Sequence, residues 1–88
     1  MPPFVRRTVT IAPGTARPAA GLEWADAIVL VDRGAVELEC AGGSAPRFAA
    51  GSLIWLRGLP VRALRNPGPG DAVLIAVSPS GPPVAPIT

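Results

Sequence analysis

The chain contains no histidine, lysine, tyrosine or glutamine, and Cys40 is its only cysteine. Without histidine it lacks the commonest general base and the commonest metal ligand, so one copy cannot assemble a histidine-dependent hydrolase triad or a Cys/His zinc site. A lone cysteine also excludes an intrachain disulfide. Set in an alternating apolar segment, Cys40 reads as a small buried thiol, because a nucleophilic cysteine needs a base or cation beside it. The aromatics are Phe4, Trp24, Phe48 and Trp55, and all eight basic residues are arginines, opposed by six acids for a net charge of +2. Those arginines (Arg6, Arg7, Arg17, Arg33, Arg47, Arg57, Arg62 and Arg65) are scattered. The dense basic stripe and stacking aromatics of a nucleic-acid binder are missing, so no nucleic-acid partner is expected. The longest uninterrupted apolar run, Ala72 to Val77, is far shorter than the roughly 20 residues of a membrane-spanning helix, and no apolar segment follows Arg6-Arg7 as in a secretion signal. No membrane association is expected, and the cytoplasm is the expected compartment.

What remains is a chain of 88 residues, room for one small domain that buries roughly 60% of its unfolded surface. Hydrophobic residues at 49% against 16% charged argue for a folded core, while 10 glycines and 12 prolines cut the sequence too often for long helices. The pieces between these breakers have strand length and strand character. Phe4 to Ile11 is rich in β-branched residues, with a period-two set at Val5, Arg7, Val9 and Ile11; Thr15 to Gly21 reads as a loop. Ala27 to Val31 is continuously apolar, the pattern of a strand covered on both faces, and Asp32-Arg33-Gly34 should turn it back. The strand from Ala35 to Ala41 alternates Val36, Leu38 and Cys40 with Glu37 and Glu39. This places the acids on a solvated face and gives them no cleft in which to act as an acid and base pair. A brief strand at Arg47-Phe48, a buried one at Leu53 to Leu56, a weakly alternating one at Val61 to Arg65 and a last apolar one at Ala72 to Val77 follow. The strongest turn cluster, Asn66-Pro67-Gly68-Pro69-Gly70-Asp71, precedes the last strand. Helix is conceivable only over Leu22 to Arg33, where Ile28, Val29 and Val31 favour a strand. The fold class is therefore all-β, a small antiparallel sandwich or barrel formed by residues 1–78, with a proline-rich tail over 79–88.

The order of these pieces resembles the cupin family of small jelly-roll barrels. It runs from a strand into a glycine turn (Ile28 to Gly34), through an alternating strand (Ala35 to Cys40), to a buried strand leading to Gly58 and Pro60. The turn Asn66-Pro67-Gly68 and a final apolar strand complete it. The resemblance covers about fifty residues and implies a jelly-roll fold. It also implies a metal site, and there the sequence departs from the family. The second-motif histidine would fall at Val61 or Arg62, and the first-motif ligands near Leu22 to Ala27, where only Glu23 and Asp26 could bind a metal. Two carboxylates without imidazole would hold at best a hard cation weakly. The expectation is a cupin-like shell with no metal and no cofactor.

Four residues stand out as candidates for ligand binding. Trp24 and Trp55 would line an apolar cavity, with Arg57 or Arg62 anchoring an anionic group by bidentate hydrogen bonds. The alternative for the tryptophans is that they fill the core, and for the arginines that they solvate a surface. No catalytic constellation is present, so the expected role is non-catalytic binding of a small apolar or anionic ligand. The competing role is structural: a homodimer formed through exposed edge strands, with Phe4 to Ile11 as the pairing strand.

Overall fold

The computed structural model describes residues 4–19 and 22–79, without the side chains of residues 22 and 23. The expected tail beyond Pro79 lies outside the described residues. Eight strands and one helical turn follow one another as β1 (Phe4–Ile11), β2 (Ala16–Pro18), α1 (Leu22–Ala25), β3 (Ile28–Arg33), β4 (Ala35–Cys40), β5 (Arg47–Ala49), β6 (Leu53–Trp55), β7 (Val61–Arg65) and β8 (Ala72–Pro79). The described residues are all-β apart from α1, and every strand pairing among them is antiparallel.

Two sheets form, in the orders β1-β8-β3-β6 and β2-β7-β4-β5. The pairs β1·β8, β2·β7, β3·β6 and β4·β5 are nested, so the two halves of the chain run together as one long antiparallel ribbon with its tip at the 41–46 turn. Folding that ribbon over adds the pairs β3·β8 and β4·β7. Among the described residues no pairing joins one sheet to the other, so the sheets do not close into a barrel.

Two local expectations change. The segment read as a loop over Thr15 to Gly21 contains β2, whose Ala16, Arg17 and Pro18 pair with Arg65, Leu64 and Ala63. Pro18 is tolerated because β2 is an edge strand, where a missing backbone N–H interrupts no ladder. At Asp32-Arg33-Gly34 the chain does not fold β3 back onto β4; it passes from the first sheet into the second. The register of β3 against β8 slips between Val31 and Arg33, and Gly34 follows at φ +74°, a left-handed conformation that side chains disfavour. The bulge and the glycine together turn the strand through the corner.

Alternation then builds the core. Val9 and Ile11 of β1, Val29 and Val31 of β3, Ile54 of β6, and Ala72, Leu74 and Ala76 of β8 point inward from the first sheet. Val36 and Leu38 of β4 and Leu64 of β7 meet them from the second, all in one buried cluster that includes Trp24. Each large aliphatic side chain buried this way contributes roughly 1.5–3 kcal/mol, which is how a domain with few charges and no disulfide holds together.

Asn66 is buried where this core meets the turns. Its Nδ2 donates to the carbonyls of Ile11 (2.8 Å) and Gly70 (2.7 Å), and its Oδ1 accepts from the Gly68 amide (2.9 Å). Its backbone N–H donates to Thr15 O (2.9 Å) and its carbonyl accepts from Gly14 N–H (3.0 Å). One residue thus ties the end of β1, the turn before β2 and the turn before β8, with every polar atom satisfied as burial demands.

Candidate functional site

The two outer faces of the molecule differ sharply. On the second sheet Glu37 and Glu39 point out from β4, with Arg65 opposite Glu37 on β7 and Arg47 opposite it on β5. Arg47 Nη2 lies 3.2 Å from Glu37 Oε2, an exposed cross-strand ion pair worth at most a few tenths of a kcal/mol. These acids solvate a surface, as their alternation indicates. Cys40 is half-buried against the core, with Sγ 3.6 Å from the carbonyl of Leu38 and no charged partner in view among the described residues.

The first sheet presents an apolar face to solvent. Its alternation leaves Ile28 and Leu30 of β3, Leu53 and Trp55 of β6, and Val73, Ile75 and Val77 of β8 on the outside. The registers set these residues in rows. Val77, Ile28 and Trp55 stand side by side, as do Ile75, Leu30 and Leu53. Leu53 is 71% exposed, Trp55 56% and Ile28 40%, and Phe4 at the end of β1 is 61% exposed. The remaining column, on β1, is polar: Arg6, Thr8 and Thr10.

At one end of this face a pocket of about 230 Å³ is lined by Phe4, Asp26, Ile28, Trp55, Arg57 and Val77, with Pro79 at its rim. The Arg57 guanidinium lies 5.7 Å from the centre of the Trp55 ring, within cation–π range. Arg57 Nε is also 3.6 Å from Asp26 Oδ1, although both side chains are more than half exposed, so this ion pair orients the guanidinium more than it stabilises the fold. The result is an apolar floor, an indole wall and a positioned cation. A larger, shallower trough of about 550 Å³ lies between the end of β1 and β2, with Arg17 as its only charged side chain among the described residues and no aromatic wall.

Of the four residues singled out from the sequence, the fold brings Trp55 and Arg57 together and separates the other two. Trp24 sits in the core, 1% exposed, with the Arg7 guanidinium 4.6 Å from its ring centre. Its Nε1 is buried and has no hydrogen-bond partner among the described residues. Arg62 belongs to β7 in the other sheet, is exposed, and does not line the pocket. Asp26 enters the site as the partner of Arg57, a role that sequence spacing does not reveal. Phe4, Ile28 and Val77 enter as well. The continuous apolar runs of β3 and β8 carried that signal, since such runs mark strands covered on both faces.

The metal that the cupin resemblance brings with it does not fit the described residues. Asp26 is engaged with Arg57, and no three Cys, Asp or Glu side chains among the described residues gather at one point. The side chain of Glu23 lies outside them. No helix among the described residues is long and apolar enough to cross a membrane. No family model matches this chain, and no curated protein matches it.

Proposed function

We propose that this chain is a metal-free, cupin-like jelly-roll domain that binds and does not catalyse, with its small-molecule site on the outer face of the first sheet and not in the interior. Support for the jelly-roll reading comes from the strand pairing: nested pairs running from β1·β8 to β4·β5, split between two four-stranded sheets, are what a rolled double ribbon of Greek keys requires. The cupin likeness itself rests on the sequence features between Ile28 and the last strand.

The observation that carries the binding site is the grouping of Trp55, Arg57 and Asp26 around an apolar pocket. Trp24, Leu38, Leu64 and Leu74, all nearly or fully inaccessible, fill the interior between the sheets. That leaves the surface pocket as the place where an indole face and a guanidinium act on one molecule. Its volume of about 230 Å³ suits a single ring or short acyl chain carrying one anionic group, below the roughly 300–1,000 Å³ of sites for larger ligands. The apolar part would lie on Trp55 and Ile28, and the anion would meet Arg57, displacing or sharing it with Asp26.

The test uses a single-ring apolar anion, benzenesulfonate, as probe, with binding followed by amide chemical shifts. It is expected to bind the folded protein saturably, with Arg57→Ala and Trp55→Ser each weakening binding at least about fivefold, a loss of about 1 kcal/mol. Equal binding by the wild-type protein and both variants would overturn the assignment. Stoichiometric Fe, Mn, Ni or Zn in the purified protein would overturn the metal-free reading.

A further inference from the structure

The pocket occupies only one end of an apolar face that spans most of the first sheet. Three of the four strands in that sheet, β3, β6 and β8, have the continuous apolar sequence of strands buried on both sides, yet only their inner sides are covered. The second sheet, with Glu37, Glu39, Arg47 and Arg65 outside, has no such surplus. The rows from Pro79 to Val73 span about 20 Å and the three apolar strands about 14 Å, a footprint of about 280 Å² before side-chain relief is counted. With side-chain relief it reaches the size of the largest apolar patch on an ordinary monomer, which is often functional.

We infer that this face is closed by a second copy of the chain, packed sheet to sheet about a two-fold axis running along β3. The arrangement of the residues is what a self-complementary interface requires. An axis along β3 sets each β3 over its equivalent and places β6 of one protomer over β8 of the other. Trp55 then faces the partner's Val77, and Leu53 faces the partner's Ile75. The polar column of β1, with Arg6, Thr8 and Thr10, stays at the rim, as do Asp32 and Arg33 beyond the end of the apolar rows. No unpaired charge is buried, and the result is an apolar centre with a polar rim. Edge pairing through β1 is the poorer route, because Arg6 and Arg7 place charge on that strand, a common guard against edge-to-edge association.

Counting both protomers, closure removes on the order of 600–1,000 Å² from water, in the range of weak and transient interfaces. The dimer should therefore be reversible, with a micromolar dissociation constant. Sedimentation velocity of the full chain from about 5 to about 500 μM brackets that range. The expected result is a shift from 8.9 kDa toward twice that mass with rising concentration. Leu53→Glu should raise the apparent dissociation constant at least about tenfold, because each protomer would bury an unpaired carboxylate. Ala49→Glu, on an exposed position of the other sheet, should leave it unchanged. Leu53 is the most exposed large apolar side chain among the described residues, so its replacement leaves the core intact; Leu53→Lys serves as a second disrupting variant if Leu53→Glu does not fold. A monomer throughout the range, or a dimer indifferent to Leu53→Glu, overturns the inference. Trp55, Ile28 and Val77 belong both to the pocket and to the apolar rows, so probe and partner compete for them; Leu53, which does not line the pocket, and Arg57, which lies outside the rows, are the positions that tell the two readings apart. Loss of the dimer with retained probe binding removes only this one, while loss of probe binding in Arg57→Ala with the dimer intact bears only on the pocket.

Discussion

Replacing Asn66 by aspartate keeps the shape of the side chain and reverses one of its two polar ends. In the native protein Nδ2 serves two carbonyls, of Ile11 and Gly70, while Oδ1 accepts from Gly68 N–H, and Asn66 is fully inaccessible to solvent. In Asn66→Asp the second carboxylate oxygen points at two carbonyl oxygens. The Ile11 carbonyl, in a buried contact, loses its donor at roughly 1–3 kcal/mol and the Gly70 carbonyl, on an exposed residue, at roughly 0.5–1.5 kcal/mol, so the loss is about 1.5–4.5 kcal/mol before the cost of burying the charge. A domain of this length has about 4–13 kcal/mol of stability in total, so the variant should be near its threshold at pH 7. The loss should depend on pH in a definite direction. Burial and two facing carbonyls favour the neutral acid, so the introduced carboxyl titrates higher when folded than its unfolded value of about 3.9. A group whose folded pKa is raised stabilises fully below the unfolded pKa and loses that contribution as pH rises through the folded one, at about 1.4 kcal/mol per pH unit between them. Below about pH 4 the protonated acid donates to one carbonyl and regains part of the loss. Asn66→Ala should lose a comparable amount with no pH dependence of its own. Urea unfolding at dilute concentration, followed by circular dichroism and compared with the wild-type protein at each pH from about 3.5 to about 8, reads both effects. A loss under about 1 kcal/mol at pH 7, or one that does not shrink toward low pH, would refute the role assigned to Asn66.

Three further outcomes can be read from the same unfolding measurements. Gly34→Ala places a Cβ 2.8 Å from the Asp71 carbonyl oxygen at a φ of +74°, and should cost about 2 kcal/mol or more, whereas Gly14→Ala, equally left-handed with nothing near, should cost only its backbone strain of about 1 kcal/mol. Leu38→Ala in the core should lose about 2–5 kcal/mol, while Leu53→Ala on the outer face should change monomer stability by under about 0.5 kcal/mol; equal losses would show that the burial pattern is wrong. Arg47→Ala should cost no more than a few tenths of a kcal/mol, and that loss should vanish in about 1 M salt; a larger or salt-independent loss would mean that the Glu37 pair is not the solvated contact described.

Most of the strands were legible in the sequence because a strand's identity is a local matter: alternation, β-branching and flanking breakers act within a few residues. Val36, Leu38 and Cys40 against Glu37 and Glu39 defined β4 and its two faces without reference to any neighbour. Ala16 to Pro18 are illegible as a strand for the converse reason. Three residues with an interior arginine and a proline carry no period, and they become a strand only because β7 offers them a ladder. The missing histidines likewise settled from composition alone which chemistry one copy cannot perform.

Pairing and position were decided only in three dimensions. Nothing near Asp32 to Gly34 distinguishes a hairpin from a corner, and the bulge that carries β4 into the other sheet depends on β8, which lies far along the chain. Trp24, between Glu23 and Asp26 in the sequence, lies in the core beneath Arg7, whereas Trp55, between the apolar Ile54 and Leu56, stands on the outer face beside Arg57. Asp26 and Arg57 meet because β3 and β6, which they flank, are neighbours in one sheet. The sequence by itself determined which segments are strands, which sides of them are apolar, and that histidine chemistry is absent. The tertiary structure alone gathered the three doubly apolar strands into a single sheet and left their outer side open, because strand order is set by long-range register and by competition for one core, which local periodicity does not encode.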